Sequence, residues 1–302
     1  MKEKARSLKI AYMCSYVPYK FMEQQGFEMI YINQPYNISK EMHDKLPVNL
    51  CSYVRYCQKV VETGDFDGII LTNCCNGVQR LYDYMKSEVK IRFCYLLELP
   101  RKNTLKEYEF YYKSVSLLVE EMKKYFDIGD ISILKKSPEE IRVKEKVPDG
   151  RTVLALGSAV SPSTMETLND YFTSYNILVK ACSTRQSGDA ILEIRNKFTG
   201  RDFDISNKEF LIDAEPCPRM NDFTGWFKQF IAQQHTGLCG VVYISPQRCD
   251  NLLLSYPHVK KICDSLHIPI IQIEEEYGSW AMGQPSVRLE AFAENLGFKG
   301  KK

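Results

Sequence analysis

Cysteine is the residue type in this chain best placed to do chemistry. Eleven occur in 302 residues. Five close or follow apolar, β-type runs: Cys14 after KIAYM, Cys75 at the end of DGIILTNCC, Cys94 within IRFCYLLELP, Cys182 after YNILVKA and Cys249 after GVVYISPQR. In an open parallel α/β sheet, ligands bind just beyond the carboxyl ends of the strands. Thiolates gathered there from distant parts of a chain suit a soft metal, above all iron–sulfur. A plainer reading stands beside it, because cysteine is also a small hydrophobe common in cores.

Local spacing does not decide between them. Ferredoxin-type CxxCxxC spacing and zinc-ribbon CxxC pairs are absent, so a metal site must form by convergence in three dimensions. Cys51 opens CSYVR, Cys75 closes TNCC and Cys249 lies in SPQRCD. If two halves of the molecule face each other, these three loops can meet. Three thiolates hold three irons of a cubane and leave the fourth open to substrate, as an open position distinguishes catalytic from structural zinc. Cys74 adjoins Cys75, but neighbouring side chains of an extended segment point opposite ways. Cys57, Cys94, Cys239 and Cys263 read as packing residues.

The polar residues near the thiols have two readings each. Arg55, Arg80, Arg101, Arg185, Arg219 and Arg288 can pair with acidic residues such as Asp83 and Glu290. Alternatively, some neutralise a cluster's negative charge or hold phosphates, for which guanidinium forks are suited. Ser15 and Tyr16, beyond the first strand, could hydrogen-bond a bound ligand. The four histidines form no ligand motif. The run Glu274–Glu276 reads as the start of a solvated loop. Gly157 and Ser158 resemble a strand-to-helix turn without GxGxxG, and no GxxxxGK phosphate loop occurs.

The elements that must position these residues alternate. Strands are expected at 8–13, 27–32, 67–72 and 91–97, and helices at 18–26, 50–63, 77–87 and about 104–126. The pattern restarts after a charged stretch with two prolines. RTVLALG, YNILVKA, GLCGVVYI and HIPIIQIE read as strands, and SPSTMETLNDYF and VRLEAFAENLG as helices. Such alternation implies βαβ units and parallel sheets. The expected fold is α/β, with two Rossmann-like doubly wound domains, 1–135 and 151–302, joined by a linker at 136–150. A cluster-binding cleft is expected between them.

Composition narrows the function. Hydrophobic residues make up 44% and charged residues 26%, enough to build cores of ordinary size. A net charge of +2 gives no electrostatic case for nucleic acid or an anionic membrane. No apolar run approaches membrane-spanning length, and the N-terminus lacks a signal-peptide pattern. A cytoplasmic, reducing compartment is expected, where cysteines are thiols, metal ligands or catalysts.

The motifs together resemble a known family. CSYVP at 14–18, LCSYVR at 50–55, DGIILTNCCNGVQRLYD at 67–83 and ELPRK at 98–102 are matched in the second half by LALGS at 154–158, CSTR at 182–185, PCPRM at 216–220, GVVYISPQRCD at 240–250, IPIIQIEEEYG at 268–278 and GQPSVRLEAF at 283–292. In order and spread they resemble the 2-hydroxyacyl-CoA dehydratase and benzoyl-CoA reductase subunit family, which includes double-cubane cluster proteins. The resemblance implies a [4Fe-4S] cluster on Cys51, Cys75 and Cys249, with Cys182 and Cys217 available to a double-cubane cluster. From their positions, Cys14 and Ser15 are expected at the catalytic position, and Tyr16, Arg55 and Arg185 as substrate-binding residues that could hydrogen-bond a thioester carbonyl or hold CoA phosphates. The resemblance also implies a homo- or heterodimer with a related subunit and a separate ATP-dependent activator carrying its own iron–sulfur cluster.

The implied activity is reductive or radical chemistry on an acyl-CoA or other small molecule. One electron delivered at low potential to a thioester makes a ketyl radical, from which an unactivated hydroxyl can leave. The chain departs from the pattern in its shortened middle, in Tyr19 and Lys20 after Pro18, and in Asn76 where relatives often carry aspartate. These departures keep a non-catalytic partner or electron-relay subunit open as the alternative.

Overall fold

Each apolar run becomes a short parallel strand, because strands covered on both faces need no polar alternation. A computed structural model describes residues 7–33, 36, 45–102, 104–127, 150–157, 160, 162–183, 217–219, 223–234, 237–277 and 284–299. The first half forms β1 (Leu8–Tyr12), α1 (Tyr19–Gln24), β2 (Phe27–Tyr31), α2 (Ser52–Thr63), β3 (Gly68–Thr72), α3 (Asn76–Ser87), β4 (Phe93–Leu97) and α4 (Leu105–Phe126). The second forms β5 (Thr152–Gly157), α5 (Pro162–Thr173), β6 (Leu178–Ser183), α6 (Phe223–Gln234), β7 (Leu238–Pro246), α7 (Asp250–Ser265), β8 (Ile270–Glu275) and α8 (Gln284–Lys299). The sheets run β2-β1-β3-β4 and β6-β5-β7-β8, and every pairing is parallel.

Both sheets are doubly wound. In the first, Ile10, Tyr12 and Ile70 face one way and pack under α4 through Tyr111, Val115 and Met122. Ala11, Ile69 and Leu71 face the other way, onto Val54 and Val61 of α2 and Leu81 of α3. In the second, Leu154, Val241 and Tyr243 meet α6 and α7, whereas Val153, Val242 and Ile244 meet α5 and α8. The alternation of successive side chains across each strand divides the core this way. The strand order reverses between β1 and β3 and between β5 and β7. These are the switch points beyond whose carboxyl ends such sheets hold ligands.

The α/β class and the two Rossmann-like sheets match the sequence expectation. Two helices were not anticipated. The first is α6, and the second is α7, which carries Pro257 inside it. A proline removes a backbone donor and normally argues against a helix interior. Of the expected linker, only Gly150 is among the described residues. Among the described residues no helix is long and apolar enough to cross a membrane.

Candidate functional site

Three helices begin with cysteine. Cys51, Cys75 and Cys249 are the N-cap residues of α2, α3 and α7. The carbonyl of each accepts the first helical hydrogen bond, from Arg55 at 3.1 Å, Gln79 at 3.2 Å and Leu253 at 2.9 Å respectively. A helix N-terminus carries partial positive charge, so a thiol at that position is biased towards thiolate. The third cap is delivered by a tight turn. Cys249 N donates to Pro246 O at 3.1 Å, and Arg248 adopts a left-handed φ of 61°.

These caps converge. The Cys249 thiol donates towards the Cys51 sulfur, and this lowers Cys51 while holding the proton on Cys249. Cys75 lies near enough to both to oppose their ionisation. Cys75 itself is brought down to about 6, first by the neighbouring Cys74 S–H and, against desolvation, by the N–H groups of Val78 and Gly77. Neither sulfur makes a geometrically complete capping bond. The N–H groups nonetheless face the sulfurs closely enough to favour thiolate.

Residues beside the cysteines join the two halves. Ser52 N donates to Gln247 O at 3.0 Å. Ser52 Oγ donates to Glu275 O at 3.2 Å and accepts from Tyr277 N at 3.1 Å. Arg55 Nη2 reaches both carboxylate oxygens of Glu276, at 2.8 and 2.9 Å. Asn251 Nδ2 donates to Cys74 O at 3.4 Å. The Tyr277 ring packs on Tyr53 and Tyr56, with centroids 4.6 and 4.9 Å away, inside the first half's core.

A second group of thiols lies on the first sheet. Cys14 follows β1, Cys74 follows β3, and Cys217 comes from the second half to pack against the same core cluster. Burial pushes Cys14 up and Cys217 up to about 12, and each feels the charge of Cys75. Thr72 Oγ1 faces Cys14 and Cys74 and is buried without a complete hydrogen bond. Arg219 is also buried here, donating to Pro100 O at 2.6 Å.

The other expected site residues fall as follows. Tyr16 is fully buried, and its hydroxyl is set against the backbone of Cys217. Ser15 is half-buried in the turn after β1. Arg55 is committed to Glu276. Arg185 lies outside the described residues, as does the Cys182 side chain, although the backbone of Cys182 pairs with Leu156. Cys57, Cys94 and Cys263 are buried in cores, and Cys239 Sγ donates to Thr152 O at 3.1 Å. The acidic run is corrected: Glu275 is 1% exposed and ends β8, while Glu276 forms the inter-half ion pair. Sequence reasoning missed these because three consecutive glutamates ordinarily read as a hydrated face.

The chain is thus a two-sheet α/β protein with three helix-capping cysteines drawn from both halves. The family model for 2-hydroxyglutaryl-CoA dehydratase, D-component, matches residues 14–147 and 131–296. The chain belongs to that family. It is also 36% identical over 63 residues to the beta subunit of (R)-2-hydroxyglutaryl-CoA dehydratase from Acidaminococcus fermentans. That match spans 21% of this chain and 17% of the relative's length. A structural comparison pairs 98% of the chain with the whole of the SBP FpvC from Pseudomonas aeruginosa in complex with Mn2+, at 11% identity and a TM-score of 0.25.

The donor set suits the iron–sulfur group that the resemblance implies. The donors are soft, converge from three loops and sit at positive helix ends. Among the described residues no three His, Cys, Asp or Glu side chains stand ready-made for a single metal ion. A four-iron core is larger than one ion and holds its thiolates further apart around it.

Proposed function

We propose that this chain is an iron–sulfur subunit of a dehydratase-type complex, with Cys51, Cys75 and Cys249 holding a [4Fe-4S] cluster in a cleft between its two halves. The observation that carries the reading is the convergence of these three cap thiols from separate loops. When bound, such a cluster supplies single-electron reduction at low potential. The chain's own part is to hold the thiolates, exclude water and orient an acyl-CoA or other small molecule, with Cys14 and Ser15 at the neighbouring strand end. The D-component family and the relative's printed description as a subunit support a complex with a related chain. An ATP-dependent activator and a cytoplasmic location belong to the same proposal.

The additional grouping of Cys14, Cys74 and Cys217 favours one variant, a double-cubane cluster. The test is iron and sulfide analysis of anaerobically prepared protein. About four irons per chain support one cubane and about eight a double cubane. A colourless, iron-free preparation after anaerobic reconstitution would refute both. Cys51→Ser, Cys75→Ser and Cys249→Ser should each lose most of the iron, and Cys263→Ser should keep it. Turnover with an activator and ATP, compared with and without a second subunit, separates a catalytic chain from a relay partner.

A further inference from the structure

Arg219 is a buried cation with no carboxylate beside it among the described residues. The residue is 8% exposed, and its Nε–H is buried with no hydrogen-bond partner among the described residues. Among the described residues its hydrogen bond is from Nη1 to the neutral carbonyl of Pro100. No carboxylate among the described residues pairs with it, although Arg55, Arg80 and Arg92 all have acidic partners. The ionisable side chains that feel its charge are Cys14, Tyr16 and Cys217. The first two lie in the segment that leaves β1, and Cys217 is two residues before Arg219 itself. Beyond the two cysteines stands Cys75, whose charge reaches both.

A guanidinium does not deprotonate in a protein, and removing it from water is costly unless an anion accompanies it. Its fork here has donors to spare. Thiolates on an iron–sulfide core carry net negative charge, and that charge grows on reduction. We infer that Arg219 is the counter-charge of this assembly, a positioning residue that favours its reduced form and so holds its reduction potential up. The inference rests on the cluster reading above. Net charge close to a cluster is one of the terms that set its potential, and low local dielectric preserves the effect across the intervening cysteines.

The test compares wild-type, Arg219→Gln, Arg219→Lys and Arg92→Gln proteins, purified anaerobically as the full chain. Iron and sulfide are counted first. Reductive titration followed by electron paramagnetic resonance then gives the midpoint potential without substrate. Arg219→Gln should retain its fold and become harder to reduce by about tenfold, which for one electron is about 59 mV more negative. Arg219→Lys should stay close to wild type, as should Arg92→Gln, whose side chain is 64% exposed and paired with Asp67. Loss of iron from Arg219→Gln but not from Arg219→Lys would also support the charge role.

A fully loaded Arg219→Gln protein with the wild-type potential would overturn the inference while leaving the cluster intact. Equal iron loss in the Gln and Lys variants would also overturn it, since packing rather than charge would then matter. If Arg219→Gln does not fold, Arg219→Met keeps the stem volume and is titrated instead. A wild-type chain that binds no iron would remove the cluster reading and this inference together.

Discussion

The Cys74–Cys75 pair gives the most direct chemical test of the site, and it needs no metal. The Cys74 S–H is the largest influence holding Cys75 at about 6, and Val78 and Gly77 N–H groups add to it against burial. Cys74→Ala removes the first influence and leaves the others. At pH 7 a thiol of about 6 is roughly ten parts thiolate to one part thiol, whereas one at about 8.5 is roughly one part in thirty. Thiolate content would therefore fall about 30-fold for a complete return to ordinary behaviour. A more basic thiolate is also more nucleophilic, with a Brønsted slope of about 0.4–0.5, which over that interval returns about 10–18-fold. The two effects nearly cancel in a single rate at pH 7, so that rate is a poor observable. The midpoint of the pH profile is the useful one. Iron-free, reduced protein is pulsed with iodoacetamide from about pH 5 to pH 9, and Cys75 is followed by peptide mass spectrometry. The wild-type midpoint should lie near 6. In Cys74→Ala it should rise by at least about one pH unit towards the free-thiol range of about 8.5. A midpoint that does not move would show that Cys74 does not tune its neighbour.

Two further predictions concern stability. Glu276→Ala removes the bidentate partner of Arg55, whose side chain is 8% exposed against 42% for the glutamate. The pair lies between the surface and buried cases, so the loss should be about 1–2 kcal/mol in urea unfolding, and a double-mutant cycle with Arg55→Met should assign most of it to the pair. Burial raises the Glu275 carboxyl from 4.5 to about 7, with a Thr164 hydroxyl bond at 2.9 Å opposing the shift. An acid raised in the folded state binds more protons folded than unfolded. Its contribution is therefore fully present below pH 4.5 and is lost as pH rises through about 7. Glu275→Gln should flatten that decline, leaving the variant more stable than wild type at pH 8 by up to about 3 kcal/mol. Equal pH slopes in the two proteins would contradict this account.

The strands were legible because buried parallel strands are apolar throughout and are bounded by Gly, Asp or Pro. Gly68–Thr72 and Leu238–Pro246 illustrate this. Helix α7 was not, because Pro257 masks its periodicity. Cys51, Cys75 and Cys249 were legible as candidates from type and position. Their shared role as helix caps became visible only once the helices were placed, since a cysteine is not a usual capping residue. The partners of Arg55, the burial of Glu275 and the docking of Cys217 and Arg219 onto the first sheet were not legible. Each depends on contacts between residues more than a hundred positions apart, which no local pattern encodes.

The placement of Ser52 bears on how the molecule is assembled. This residue follows Cys51 directly, and its hydroxyl and amide are both fastened to backbone from the far half. Cys51 therefore sits directly beside a seam that forms when the two halves dock. During synthesis the first two thiols emerge well before Cys249, so a partly made chain holds an incomplete set. The third thiol and the clamp on Ser52 arrive together, in the stretch from Gln247 to Tyr277. Completion of the thiol trio thus coincides with closure of the tertiary structure.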